Sequence, residues 1–340
     1  PPKWHLGHTT WFFETMLLVP HLPDYKVFHP DYSYLFNSYY EGVGSRVPRQ
    51  DRGHMSRPTV AEVHAYRAHV DAAMERLLGA TLQPQQRSLV ELGLQHEQQH
   101  QELLLTDIKA VLGLNPLRPA YDPNGLSGID LSAEHDGTCP PLDDWLNIEG
   151  GLVEVGYEGH GFAFDNEGPR HTVHVGKLQL RQALVTNAEY LAFMADGGYQ
   201  RHEFWHAEGW DWLKSLPQPA PMYWQPDPAR PGQWQHYSLG GLTALEGQAP
   251  VTHVSYYEAF AFCQWAGWRL PTECEWEAAA AQLGWARRWE WTQSSYQPYP
   301  GFRRSADLSG EYNGKFMVNQ QVLRGASSAT PPGHARLTYR

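Results

Sequence analysis

The feature that most constrains the fold of this chain is a change in hydrophobic periodicity near Leu114. Before it, apolar residues recur at steps of three and four, which is typical of one face of an α-helix. After Gly150, short runs such as GLVEVG and HTVHVGKLQL alternate as half-buried strands do. Helical patterns return only at residues 187–196, 256–265 and 273–281. The change predicts an α+β chain in which a helix bundle precedes a loop-rich domain.

The 340 residues divide into three segments on this basis. We predict a helix bundle over residues 1–114, a linker over residues 115–147 and a loop-rich domain over residues 148–340. The linker assignment rests on its many Pro, Asp and Gly residues, which favour turns over regular structure.

Three long helices are expected in the first segment. Thr59 precedes Glu62 by three residues, which is typical of a capping box, and Gly113 and Pro116 are typical of a helix end. The predicted helices cover approximately residues 4–19, 59–78 and 86–112. Residues 20–57 are rich in Pro, Gly and Tyr and are predicted to form a long ordered loop, and loops of that length are usually functional.

The composition excludes several classes of protein. A formal charge of −11, from 26 basic and 37 acidic residues, argues against binding to nucleic acid. No apolar run is long enough to cross a membrane, and no basic, apolar leader opens the chain. Three cysteines match no zinc-ribbon or CxxC spacing, so a disulfide framework is not expected. We therefore expect a cytoplasmic protein with small-molecule substrates and no nucleic-acid or membrane partner.

The sharpest local motif is His96-Glu97-Gln98-Gln99-His100. Two histidines four residues apart lie on one face of a helix, so both imidazoles can reach one metal ion. The motif is formally HExxH, which suggests a zinc protease with Glu97 as the general base. The HxxGxxH extension of one protease class is absent, and a chain with 18 histidines also produces such pairs by chance.

A third metal ligand is required, and His8 is the better candidate. It lies in the run WHLGHTTW, on a predicted helix that can face the helix of His96 and His100. Facing helices supply the ligands of metal ions in the cores of helix bundles. His5 is a rival on a different face of the same helix. Imidazole ligands suit zinc, iron, copper and nickel alike, so the ligand type does not choose the metal.

Longer runs carry a resemblance to a known family. In the first segment they are PPKWHLGHTTWFFE (1–14), YLFNSYYEGVG (34–44), HEQQHQELLLTDIK (96–109) and NPLRPAY (115–121). In the last segment they are GFAFDNEGPRHTV (161–173), VTNAEYLAFMADGGY (185–199), PVTHVSYYEAFAFCQWAGWRLPTECEWEAAA (250–280) and WEWTQSSYQPYPGFR (289–303). The chain resembles the EgtB-like sulfoxide synthases of ergothioneine biosynthesis. The resemblance implies a DinB-like bundle followed by a formylglycine-generating-enzyme-like domain of the C-type-lectin type.

The resemblance also implies the chemistry. Members of this family are mononuclear non-haem iron(II) enzymes that use O₂ to join the sulfur of cysteine or γ-glutamylcysteine to the imidazole C2 of hercynine (Nα-trimethylhistidine), giving a sulfoxide. Carried over to this sequence, the iron ligands are His8, His96 and His100. Gln99 would hold the hercynine imidazole, since its amide can donate to or accept from a ring nitrogen.

Further site residues follow from the same resemblance. Tyr39 and Tyr40 match paired tyrosines that donate a proton or hydrogen bond near the iron, although ordinary aromatic packing is the alternative. We predict that Arg49 and Arg52 clamp the carboxylate of the donor, with a solvated basic loop as the alternative. An aromatic wall suits the trimethylammonium group of hercynine, and its predicted members are Trp289 and Trp291.

Departures from the family pattern leave three alternatives open. Residues 324–340 contain no cysteine, whereas formylglycine-generating enzymes use a cysteine pair there, and residues 110 and 286–288 differ from the family pattern. A selenoneine synthase, which joins a selenosugar to hercynine, is the first alternative. An HExxH zinc metalloprotease is the second. A non-enzymatic ligand-binding module built on the lectin-like half is the third.

Overall fold

The computed structural model describes residues 2–123, 144–304 and 308–340. Most of the predicted linker therefore lies outside the described residues, and so does Cys139. Among the described residues, the structure contains no helix with the length and apolar character needed to cross a membrane.

The first part of the chain is helical, as predicted. Its helices are α1 (Pro2–Phe13), α2 (Val19–His21), α3 (Tyr32–Phe36), α4 (Val60–Leu78) and α5 (Pro84–Gly113). A single π-helical turn, Glu14–Leu18, joins α1 to α2, so the predicted first helix is continuous. The predicted loop at residues 20–57 contains α3 and a 3₁₀ turn at Arg49–His54.

The capping box predicted at Thr59 is present. The Thr59 hydroxyl accepts a hydrogen bond from the backbone N–H of Glu62, and the Glu62 carboxylate accepts one from the backbone N–H of Thr59. These two bonds satisfy backbone donors that have no partner within the helix. They start α4 so that its apolar face, including Val63, Tyr66 and Val70, packs into the bundle core.

A buried carboxylate lies at the centre of this core. Glu14 is 3% exposed and accepts hydrogen bonds from the hydroxyls of Tyr25 and Tyr66, at 2.5 and 2.6 Å. The backbone N–H of Phe28 donates a third bond at 3.2 Å. Because a buried charge needs partners of this kind, the three donors tie the long loop and α4 to the end of α1.

The second part is a mixture of short helices and small antiparallel sheets. The strands are β1 (Trp145–Ile148), β2 (Gly151–Val155), β3 (His171–Val175), β4 (Leu178–Arg181), β5 (Trp224–Pro226), β6 (Trp234–Ser238), β7 (Gly241–Ala244), β8 (Trp289–Ser295) and β9 (Gln321–Gly325). They pair as β1–β4, β2–β3, β5–β6–β7 and β8–β9, and every pair is antiparallel. The α+β class predicted from the sequence is confirmed.

Four helices accompany these sheets: α6 (Asn187–Ala195), α7 (Ala207–Lys214), α8 (Tyr256–Ala266) and α9 (Glu273–Ala279). The sequence predicts three of them, and α7 is an addition. Strand β1 overlaps the last three residues of the predicted linker and pairs with β4, from Trp145 opposite Arg181 to Ile148 opposite Leu178.

Helix α5 is the element on which both parts of the chain pack. One side contacts α1 in the bundle, and other side chains reach the second part. Gln95 accepts a hydrogen bond from His334 at 2.7 Å, and Lys109 lies 2.7 Å from the ring nitrogen of His253. The residues of α5 that face α1 are therefore held between the bundle and the second part.

Candidate metal centre

The candidate metal centre is a cluster of three histidines where α1 packs on α5. His8 comes from α1, and His96 and His100 lie one turn apart on α5. Each ring offers one nitrogen atom as a ligand, and these three nitrogen atoms all lie within 4.8 Å of one another. His8 and His96 are buried, and His100 is half-buried. The structure therefore brings together the three side chains that the resemblance implies as ligands.

Two tryptophans hold the ring of His8. The ring stacks on Trp4 with centroids 4.7 Å apart and on Trp11 with centroids 5.5 Å apart. Nδ1 of His8 lies 2.6 Å from the carbonyl oxygen of Phe36, the last residue of α3, and this carbonyl has no partner within its own helix. Nδ1 therefore donates, and Nε2 of His8 keeps its lone pair for the cluster.

The other two rings have different partners. Nδ1 of His100 lies 2.8 Å from Nδ1 of His5, which leaves Nε2 of His100 for the cluster. Nε2 of His96 lies 3.1 Å from Nε2 of His8, and Nδ1 of His96 is buried without a hydrogen-bond partner among the described residues. The three rings thus direct nitrogen atoms into one small, largely buried volume.

Burial keeps these three rings neutral. It lowers the pKa of His96 to about 3 and is also the largest cause that lowers the pKa of His8 and of His100. The neutral imidazole carries the lone pair that binds a metal ion. The donor set therefore fits a divalent transition metal, and imidazole ligands alone do not distinguish iron from zinc, copper or nickel.

His5, the rival ligand, lies beside the cluster with both ring nitrogens occupied. Its Nδ1 faces His100, and its Nε2 lies 2.8 Å from a carboxylate oxygen of Asp107. Burial is the largest cause that lowers the pKa of His5, while Asp107 acts in the opposite direction. The three-histidine cluster consists of His8, His96 and His100 without His5.

Glu97, the general base of the protease alternative, is turned toward α4. Its two carboxylate oxygens lie 3.1 and 3.2 Å from one guanidinium nitrogen of Arg67. Arg67 also binds Asp71 at 2.7 Å, so the group is part of an ion-pair network along the outer side of the bundle. This arrangement does not favour activation of a metal-bound water by Glu97.

Gln99 occupies the wall between the histidines and the second part of the chain. Its amide nitrogen donates to the hydroxyl of Tyr339 at 2.7 Å, and its amide oxygen accepts a hydrogen bond from the hydroxyl of Tyr312. The ring of Tyr312 lies 5.8 Å from the ring of His96, centroid to centroid. The residue predicted to hold the substrate imidazole therefore borders the cluster.

The two predicted tryptophans lie in different places. Trp289 packs against Tyr339 with ring centroids 5.2 Å apart, and its indole N–H donates to Glu102 at 2.7 Å. Trp291 packs against Tyr256 with centroids 5.8 Å apart, and its indole N–H donates to the Val254 carbonyl. Trp289 therefore belongs to the wall near Gln99, whereas the described contacts of Trp291 lie within the second part of the chain.

Tyr39 and Tyr40 stack on each other near the cluster, with centroids 4.9 Å apart. Tyr40 lies 5.5 Å from the ring of Trp11, and Tyr39 lies 6.4 Å from that of Tyr312. Burial is the largest cause that raises the pKa of both phenols, so both hydroxyls stay protonated at neutral pH. Lys315 donates to the Tyr39 carbonyl, which ties this loop to the second part.

Of the two predicted arginines, Arg52 lies closer to the histidines. Its guanidinium carbon is 4.1 Å from the centroid of the Trp4 ring, on which His8 also stacks. It donates to the Ser38 carbonyl at 3.1 Å, while its Nε is buried and has no hydrogen-bond partner in the part of the chain that the structure describes. Burial, followed by the charge of Arg49, lowers the pKa of Arg52 to about 10. Arg49 itself is exposed.

Residues that sequence reasoning missed complete the wall of the site. Tyr312, Tyr339 and His334 are buried, and the ring of Tyr339 packs beside that of Phe164 with centroids 5.6 Å apart. They come from irregular stretches without helical or strand periodicity, so no local pattern singled them out. The large number of tyrosines in the chain was the only available signal.

Comparisons with known proteins agree with this architecture. Residues 132–288 match the family described as the sulfatase-modifying factor enzyme 1-like domain. The hercynine oxygenase of Mycolicibacterium smegmatis is 29% identical, over 100% of this chain and 86% of that protein. The hercynine oxygenase of Mycolicibacterium thermoresistibile is 29% identical over 86% of this chain and 74% of that protein. The formylglycine-generating enzyme of Streptomyces coelicolor is 32% identical over 43% of this chain and 49% of that protein.

The two hercynine oxygenases align with both parts of the chain, whereas the formylglycine-generating enzyme covers less than half of it. The resemblance predicted from the sequence is therefore confirmed. With its helical first part and its sulfatase-modifying-factor-like second part, this chain is an enzyme that resembles the EgtB-like family and is similar over its whole length to a hercynine oxygenase.

Proposed function

We propose that this chain is a hercynine oxygenase of ergothioneine biosynthesis. It would use iron(II) and O₂ to join the sulfur of cysteine or γ-glutamylcysteine to the imidazole C2 of hercynine, giving a sulfoxide. The observation that carries the proposal is the buried cluster of three neutral histidines bordered by Gln99 on one side and Arg52 on another. A cytoplasmic location remains part of this proposal.

His8, His96 and His100 would hold the metal ion. Iron(II) bound there would supply the redox chemistry with O₂. The protein's task is to bring the donor sulfur and the imidazole C2 together in a site that excludes water, and such positioning is a large part of catalysis.

Gln99 is suited to orient the hercynine ring. Its amide group can donate to one imidazole nitrogen or accept from the other. The aromatic rings around it, including those of Tyr312, Tyr339 and Trp289, provide faces that attract a trimethylammonium group, which has no hydrogen to donate. Trp291 remains a predicted member of this wall without a described contact to it.

Arg52 is suited to bind the carboxylate of the donor. Among the residues that the structure describes, no acidic side chain forms an ion pair with Arg52, and Arg49 and Arg46 add further positive charge to the loop. A half-buried cation of this kind is stabilised by an anionic ligand. This feature favours an amino-acid donor over the selenosugar of the alternative selenoneine synthase, since a sugar brings no carboxylate.

Tyr39 and Tyr40 are suited to donate a proton or hydrogen bond during coupling. Both phenols are protonated at neutral pH because burial raises the pKa of each hydroxyl. The chain offers these two donors and needs no ionised group for this step.

The experiment that tests the proposal is a donor panel. The protein is loaded with iron(II) anaerobically and is then given hercynine with cysteine, γ-glutamylcysteine or a selenosugar under air, and product masses are measured. We expect the mass of a hercynine–thiol sulfoxide. His96→Ala should abolish it, whereas His202→Ala, at a side chain that is 78% exposed, should not.

Other outcomes select the alternatives. A product mass containing selenium, with none from the thiols, would identify a selenoneine synthase. Peptide hydrolysis without O₂ by a zinc-loaded protein would identify a protease. Activity retained in His8→Ala would remove His8 from the proposed ligand set.

A further inference from the structure

A continuous hydrogen-bonded chain leads from a carboxylate at the edge of the bundle to the cluster. A carboxylate oxygen of Asp107 lies 2.8 Å from Nε2 of His5, and Nδ1 of His5 lies 2.8 Å from Nδ1 of His100. We propose that Asp107 and His5 are positioning residues that fix the tautomer of His100, so that its Nε2 carries the lone pair toward the metal. This inference rests on the proposed function, because it concerns the same metal centre.

The direction of each hydrogen bond follows from the carboxylate. An ionised Asp107 can only accept, so Nε2 of His5 must carry the hydrogen of that bond. In neutral His5 the other nitrogen, Nδ1, is then an acceptor. Nδ1 of His100 must therefore carry a hydrogen and donate it to His5. Only Nε2 of His100 is left with a lone pair.

Comparison of the three rings shows why this arrangement matters most for His100. The tautomer of His8 is fixed by a backbone carbonyl, that of Phe36, which no side-chain substitution removes. Nδ1 of His96 has no hydrogen-bond partner among the described residues. His100 is therefore the member of the cluster whose tautomer is set by another side chain. Partners of this kind fix the tautomer and ring orientation of metal-binding histidines.

The chain also joins the two helices that form the cluster. His5 lies on α1, one turn before His8, and Asp107 lies on α5, about two turns after His100. The side chain of His5 is 8% exposed and that of Asp107 is 48% exposed. The carboxylate therefore sits at the rim of the bundle, while the imidazole it orients is enclosed between the helices.

The test measures binding of cobalt(II) alone to the metal-free protein, by competition with a chromophoric chelator and by the visible ligand-field spectrum. His5→Phe keeps a ring of similar shape and removes both nitrogens. We expect its dissociation constant for cobalt(II) to rise about 10- to 100-fold, with a changed spectrum, because His100 loses its orienting partner. His5→Asn should recover part of the affinity, because its amide oxygen can accept from His100. Asp24→Asn, at an exposed carboxylate paired with Arg76, is the matched control and should bind as the wild type does.

A second pair of variants keeps the test informative even when His5→Phe does not fold, as monitored by circular dichroism. Asn at position 107 can still accept from Nε2 of His5, whereas Ala cannot, so Asp107→Ala should bind cobalt(II) more weakly than Asp107→Asn. Equal affinities in these two variants, or wild-type affinity and spectrum in His5→Phe, would overturn the inference alone. A wild-type protein that binds no divalent metal would overturn the inference and the proposed function together.

Discussion

Burial lowers the pKa of the basic groups around the cluster, with different results at neutral pH. It keeps His8, His96 and His100 neutral, whereas Arg52 remains a half-buried cation over the Trp4 ring. The ring of His8 stacks on the same indole, so the cation and the candidate ligand share one aromatic neighbour. A donor molecule with a carboxylate at one end and a sulfur atom at the other could bridge the two.

The role of Arg52 leads to a prediction about the donor substrate. Arg52→Gln removes the charge and should raise the KM for cysteine or γ-glutamylcysteine about 10- to 100-fold, because a hydrogen bond to a charged group contributes about 1.5–3 kcal/mol. The KM for hercynine should change little. Steady-state kinetics with each substrate varied in turn provides the measurement. Arg76→Gln, at an exposed side chain paired with Asp24, is the control. An unchanged donor KM in Arg52→Gln would exclude it from carboxylate binding.

Individual site residues could be predicted from the sequence where their spacing along the chain indicates a shared helix face. The pair His96 and His100 was visible as a four-residue spacing, and His8 as a histidine on a facing helix. Tyr339 and Asp107 could not be found in this way. Their partners, Gln99 and His5, lie far away along the chain, and only the packing of the second part and of α1 against α5 brings them together.

At the scale of elements, the close approach of α1 to α3 depends on one glycine. A Cβ atom added at Gly7 would lie 2.2 Å from the ring of Phe36, well inside contact distance. The carbonyl of Phe36 is the acceptor for Nδ1 of His8. The absence of a side chain at Gly7 therefore sets the distance between α1 and the carbonyl group that orients His8.

Gly7→Ala is accordingly predicted to be damaging. It should lower the free energy of unfolding by about 1–3 kcal/mol, the usual cost of overpacking a core, and should also weaken metal binding because Phe36 must move. Urea denaturation and cobalt(II) titration measure the two effects. Gly53→Ala, where an added Cβ meets nothing within 4 Å, should leave both unchanged. Wild-type stability in Gly7→Ala would contradict this prediction, because it would mean that α3 can move away from α1 without a loss of unfolding free energy.

Elements were predictable where their ends carry a sequence signature. The Thr59–Glu62 capping box located α4 correctly. Helix α7 was missed because Gly209 lies inside it, and glycine lowers helix propensity by about 1 kcal/mol. The structure supplies the reason for that glycine, since a Cβ there would lie 2.7 Å from Tyr257 on α8. The formation of α7 therefore depends on tertiary packing, which the local sequence does not show.

At the scale of the whole molecule, Glu102 on α5 joins the two parts of the chain. Its carboxylate accepts hydrogen bonds from the indole of Trp289 and from the hydroxyls of Ser327 and Thr330, at 2.7, 2.7 and 2.8 Å. All three donors belong to the second part. A single carboxylate therefore satisfies three polar groups that pack against the bundle.

Removal of this carboxylate should loosen the junction. Glu102→Ala leaves those donors without their acceptor and is expected to cost about 1–3 kcal/mol of unfolding free energy. Differential scanning calorimetry should show a lower Tm, and the fluorescence of Trp289 should shift. Glu91→Ala, at an exposed position on the same helix, is the control. An unaltered Tm would mean that water replaces the carboxylate fully.

The stability of the metal-free protein is predicted to fall with acidification. His334 is fully buried, and burial lowers its pKa to about 4, compared with about 6.5 in the unfolded chain. As the pH falls from about 6.5 to 4, the His334 side chain takes up a proton in the unfolded state but stays neutral in the folded state. This difference lowers the free energy of unfolding by about 1.4 kcal/mol per pH unit. The stability associated with neutral His334 is fully present above pH 6.5.

Urea denaturation at a series of pH values between about 7 and 4.5 measures this slope. The slope of unfolding free energy against pH measures the number of protons taken up on unfolding. His334→Gln should reduce this number by up to one, whereas His202→Gln, at an exposed position, should not change it. His96 and His253, whose pKa burial lowers to about 3, should maintain the remaining slope in both variants. An identical slope in wild type and His334→Gln would contradict the prediction.

Both polar atoms of the Gln99 amide already have a phenol partner, Tyr339 at the nitrogen and Tyr312 at the oxygen. An imidazole that takes the place of one of these phenols therefore leaves the number of hydrogen bonds to the amide almost unchanged. Discrimination between ligands then depends on ring shape and on the cationic tail. The measured affinity of a ligand reports the difference between its binding free energy and that of the tyrosine side chain that it replaces.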